Sequence, residues 1–106
     1  MSYTYYLDII WDQAHPAADE ARFHACFNDA RTELVVGNET LVIIWKSIDS
    51  TRHYMATSHY SDAYVKHLTR IAIQNAWKKA GMQGAPSGSI TLQKVIAVDH
   101  IGNSRD

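Results

Sequence analysis

Residues Ser61 to Gly81 constrain this chain most. Val65, Leu68, Ala72 and Ala76 recur at helical spacing, flanked by Ile73, Trp77 and Ala80, so one broad apolar face runs down a long helix. Ser61 or Asp62 supplies the N-cap oxygen. Lys78 and Lys79 complement the dipole in the last turns, and Gly81 suits the C′ position. His67, Arg70, Gln74 and Lys78 fall on the opposite face, with Tyr64 and Ile71 beside His67. Tyr, Ile and His on one patch point to a partner surface or a pocket.

The segment before this helix alternates. His53, Met55, Thr57 and His59 face one way, and Tyr54, Ala56, Ser58 and Tyr60 the other. At the N-terminus, Tyr3, Tyr5, Leu7, Ile9 and Trp11 share one strand face. Pro16 opens a first helix, with Asp19 and Glu20 in its first turn. Phe23, Phe27, Ala30 and Leu34 continue its stripe toward Gly37. A competing reading takes Glu33–Val36 and Glu39–Ile44 as a hairpin turning at Gly37-Asn38 in type II′ geometry. The helix-to-strand reading is preferred. Leu41–Ile48 is a strand apolar on both faces, Asp49-Ser50-Thr51 a turn, Gln83–Ser89 a loop and Ile90–Val98 the last strand. The tail Gly102–Asp106 is expected to fray.

The order is β-α-β-β-α-β over one domain, residues 1–106. The expected class is α+β and ferredoxin-like, with two helices on one face of a four-stranded antiparallel sheet. A sheet with one wet face should alternate cleanly, and Leu41–Ile48 does not. The expectation is a two-fold homodimer covering the second face.

With 106 residues the chain buries enough surface to need no staple, and its single cysteine, Cys26, forms no internal bridge. Cys26 reads as an inert core thiol beside Phe23 and Phe27. Net charge is −1, split as −4 over residues 1–53 and +3 over 54–106. No strong polyanion binding follows from the total, although the basic half suits an acidic partner. No leader pattern and no apolar run long enough for a membrane appear, so the expected setting is soluble and cytoplasmic.

The segment HYMATSHYSDAYVKHL resembles the strand-then-helix region of the antibiotic-biosynthesis-monooxygenase type of dimeric α+β barrel. The likeness rests on Tyr60, Ser61, Asp62, Ala63 and His67. The turn before strand two departs from the family's Glu-Pro-Gly-like pattern, with Val36-Gly37-Asn38-Glu39 in its place. The resemblance implies a small-molecule pocket between sheet and helices, and cofactor-free oxidation of an aromatic quinol or phenol in some relatives. The catalytic set would be His59, Tyr60 and His67, one imidazole serving as general base. Trp11, Trp45 and Tyr54 would line the substrate cavity. The plainer reading makes these a surface histidine pair and ordinary sheet core.

No metal is expected. His53 and His59 stand about 20 Å apart along a strand, and no zinc-type spacing occurs. RNA binding is disfavoured, because Arg52-His53-Tyr54-Met55-Ala56 lacks the glycine and later aromatics that base-stacking sheets of this topology use. The alternative function is a non-enzymatic inhibitor or adaptor, since compact ferredoxin-like chains also occur among phage anti-defence proteins, anti-CRISPRs included. Its partner surface would hold Tyr64, Ile71 and Lys78. A concave pocket with convergent polar groups separates a ligand-binding protein from an adaptor with a filled core.

Overall fold

In a computed structural model, which describes residues 2–49, 52–87, 89–90 and 92–98, the alternation of the N-terminal segment becomes β1 (Tyr3–Ile10). Tyr5, Leu7 and Ile9 are buried, while Tyr6 on the other face is 41% exposed. β1 is central. It pairs antiparallel with β5 (His53–Ser58) on one side and β6 (Leu92–Val98) on the other. Leu7 thus sits between Tyr54 and Val95, and Tyr5 between Ala56 and Ala97.

α1 covers Ala17–Phe27 and α2 covers Asp62–Lys79. α2 buries Val65, Leu68, Ala72, Ile73, Ala76 and Trp77, the face its spacing predicts, together with Thr69. Gly81 follows its C-cap at φ +75°, the left-handed conformation that glycine adopts without a Cβ penalty. Both helices join the inward sheet residues in one core: the Phe27 ring meets Tyr54 at 4.7 Å, and Trp45 Nε1 donates to Thr69 Oγ1 of α2 at 3.2 Å.

The first helix is shorter than expected. It ends at Phe27, Asn28 is extended, and Asp29 takes φ +62°. The Asp29 N–H donates to the Trp45 carbonyl at 2.9 Å, and Asn28 Oδ1 accepts from the Ser47 N–H at 2.8 Å. The competing hairpin forms instead, as β2 (Arg31–Val36) and β3 (Glu39–Ile44), with Leu34 paired to Leu41. Gly37 has φ +62° and Asn38 is not in the positive region, as a type II′ turn requires. The helical stripe through Ala30 and Leu34 is therefore corrected. Leu34 is a strand residue packed against the core beside α2.

Leu41–Ile48 is also not one straight strand. β3 stops at Ile44, the chain bends at Trp45, and β4 (Lys46–Ser47) pairs with β5. The result is an α+β structure with two helices, a four-stranded antiparallel sheet ordered β4-β5-β1-β6, and a two-stranded hairpin. No helix among the described residues is long and apolar enough to cross a membrane. The expected turn at Asp49-Ser50-Thr51 is described only at Asp49, and the tail Gly102–Asp106 lies outside the described residues.

Candidate functional site

The turn from β4 into β5 is closed by the Ile48 N–H donating to the His53 carbonyl at 2.8 Å. It stands opposite α1, and between them opens a cleft of about 1180 Å³. Ala17, Ala21 and Ala25 form the α1 side. Their small side chains leave the space a larger residue would fill. Trp11, at the end of β1, and Tyr54, from the inward row of β5, form the aromatic wall.

His24 joins these two. One turn beyond Glu20 on α1, it places Nε2 3.2 Å from Trp11 Nε1 and Nδ1 2.6 Å from Tyr54 Oη. The indole N–H is only a donor, so His24 Nε2 must hold a lone pair. The neutral imidazole then carries its proton on Nδ1 and donates to Tyr54 Oη, a tautomer assigned from its neighbours. Ring packing holds the three side chains in place. The Tyr54 ring stacks on His24 at 5.9 Å and 22°, and Trp11 meets Phe23 edge-on at 5.3 Å.

Burial lowers the His24 pKa to about 4, against the smaller opposing pull of the Asp49 carboxylate. Burial raises the Tyr54 phenol well above its ordinary value, and Asp49 adds to the rise. At neutral pH the Trp11–His24–Tyr54 chain is uncharged, and the histidine lone pair is committed to Trp11. His24 is therefore a fixed polar wall rather than a free base.

The mouth of the cleft is charged. His53 Nδ1 lies 3.2 Å from Asp8 Oδ1, and its Nε2 lies 3.6 Å from Asp49 Oδ2. Arg52 Nε is 4.0 Å from Asp8 Oδ1, with the arginine side chain 56% exposed. Glu20 and Asp49 supply acceptors on opposite sides.

The expected catalytic residues lie elsewhere. His59 is exposed, its ring 4.7 Å from that of Tyr60. Tyr60 is half-buried, and its Oη accepts from the Val42 N–H at 3.2 Å. His67 is exposed on α2. None of the three lines this cleft or a smaller one beside α2. Of the expected cavity wall, Trp11 and Tyr54 line the cleft, whereas Trp45 is 1% exposed and belongs to the core. Tyr64 and Lys78 are exposed on the outer side of α2, and Ile71 is half-buried.

Sequence reasoning gave His24 no role, read Asp49 as a turn residue, and weighed Arg52 and His53 only against RNA binding and a metal. The local signal at His24 was its i, i+4 spacing from Glu20 on the first helix. Nothing local announces that Trp11 and Tyr54 close on it. Among the described residues, no three His, Cys, Asp or Glu side chains are grouped to hold a metal ion. No protein-family model, curated protein or solved structure matches the chain.

Proposed function

We propose that this protein binds a small, partly polar aromatic molecule of the phenol or quinol kind in the cleft between α1 and the β4–β5 turn. The observation that carries this reading is the joining of Trp11 and Tyr54 through His24 along one wall of a cleft with polar groups at its mouth. Small-molecule sites combine an apolar wall with a few fixed polar groups in this way. The aromatic wall offers ring contacts, while Glu20, Asp49 and Arg52 offer partners for ring substituents. The reading requires no metal.

We read β3 and β4 as one bent strand, which would give the order β4-β5-β1-β6 the ferredoxin-like βαββαβ arrangement with β2 as an added edge strand. We place a second copy of the chain on the outward sheet face, where Tyr6 and Met55 are 41% and 38% exposed.

The test is calorimetric titration with a panel of hydroquinones and anthrones, with oxygen uptake followed in parallel. The wild type should bind at least one of them saturably, and Ala21→Phe, which fills the cleft from an exposed position on α1, should weaken that binding about tenfold or more. The reading fails if no member of the panel binds. Oxygen uptake abolished by His67→Ala but indifferent to Ala21→Phe would instead place the chemistry at the β5–α2 junction.

A further inference from the structure

Between Asp62 and Asp99 the chain contains no Asp or Glu. Most of the cations in that interval fall on one helix. Lys66, Arg70 and Lys78 repeat at multiples of four along the outer side of α2, while Lys79 lies about 140° round the helix from Lys66; all four are exposed. At 1.5 Å per residue the row spans about 20 Å. The ion pairs of the described residues involve Arg22, Arg31, Lys46, Arg52 and His53, and none of these four. Tyr64, 41% exposed, and Ile71, half-buried, lie among them.

A second feature adjoins the row. Arg70 and Gln74 border a cleft of about 230 Å³ whose other walls are Ile73, Ala85, Pro86 and Ile90. Ser87 and Gln74 add polar atoms to these apolar walls, and Arg70 is the one cation among the described residues on its border. The cleft fits one apolar side chain whose neighbours in the chain carry carboxylates.

We propose that the outer face of α2 docks an acidic protein segment, with an apolar residue in the Pro86 cleft and carboxylates paired to Lys66, Arg70 and Lys78. An extended strand of about six residues covers the 20 Å row. Charge complementarity selects an anionic partner. Ile73, Ala85, Pro86 and Ile90 in the cleft favour a peptide carrying an apolar side chain over a phosphate backbone, which would leave the cleft empty. This surface is separate from the α1 cleft and stands or falls without it.

The experiment is fluorescence anisotropy of the full chain with two labelled probes, a Glu-rich peptide carrying a central leucine and a DNA duplex of equal length. Three proteins are compared: wild type, the pair Lys66→Glu with Arg70→Glu, and Lys46→Glu on β4 as a control. Circular dichroism verifies the fold, and Arg70→Gln serves as a milder variant should the reversal disturb it. The peptide should bind the wild type with an affinity that falls with salt. The paired reversal should weaken it at least about tenfold, Arg70→Gln should weaken it less, and the control should leave it unchanged. Absence of peptide binding overturns the proposal. So does equal loss in the control, peptide binding indifferent to both α2 variants, or duplex binding as tight as that of the peptide.

Discussion

The indole nitrogen of Trp11 lies 3.2 Å from Nε2 of His24, and this contact fixes which way the site's protons point. Because the indole only donates, His24 must donate from its other nitrogen to Tyr54, 2.6 Å away. Three residues, one just past β1, one on α1 and one on β5, thus behave as one polar unit set into an otherwise aromatic wall.

Such a unit should show coupling. His24→Ala leaves the Trp11 N–H without its acceptor, and Tyr54→Phe leaves the His24 Nδ1–H without its own. Each should cost roughly 1–3 kcal/mol. The double variant should lose less than the sum of the two, by about 0.5 kcal/mol or more, because the second change removes a partner already orphaned by the first. Urea denaturation of the four proteins measures this. Strict additivity would mean that the 2.6 Å contact contributes nothing to stability.

Acid should act on the same unit. His24 has a folded pKa of about 4 against an ordinary 6.5. Between those values the unfolded chain binds a proton there that the folded chain refuses, so stability rises with pH across this window. The full contribution is present above about pH 6.5 and is lost as pH falls toward 4. Solvent reaches part of the ring, and the discounted loss is about 2 kcal/mol. Urea midpoints at pH 7 and 4.5 should therefore separate more for the wild type than for His24→Gln. Equal separations would show that His24 is not held neutral.

α2 supplies a test of packing. Leu68 is 0% exposed, and Leu68→Ala should cost roughly 2–5 kcal/mol. Ile71 is half-buried, and Ile71→Ala should cost about 1 kcal/mol. Thermal or urea unfolding gives both values. A loss at Ile71 equal to that at Leu68 would mean that something in solution covers the outer face of α2.

The α2 stripe was legible because its pattern persists over an 18-residue helix, long enough for a period of 3.6 to dominate. β1 was legible because Tyr5, Leu7 and Ile9 alternate strictly with less buried neighbours. α1 misled because Phe23, Phe27, Ala30 and Leu34 keep helical spacing across the point where the helix stops. The stop is written in Asn28-Asp29, where Asp29 adopts a left-handed φ, and in the β-branched and turn residues from Thr32 to Asn38. A hydrophobic count does not weigh those signals. The candidate site was half legible. Trp11 and Tyr54 stood out as aromatics, but His24 meets them across 13 and 30 residues of sequence. Such separations are decided by the sheet register and the placement of α1, not by local spacing.

Trp45 has a further consequence. At this residue the chain passes from β3, which pairs with β2, into β4, which pairs with β5, and its side chain lies in the core against Thr69. The hairpin therefore cannot swing outward as an independent flap. To move, it must withdraw an indole from the centre of the molecule and break the Asp29 contact that holds the end of α1. Local opening at the β2–β3 end is thereby tied to loosening of both helices, and slow exchange of the hairpin amides should track global unfolding rather than precede it.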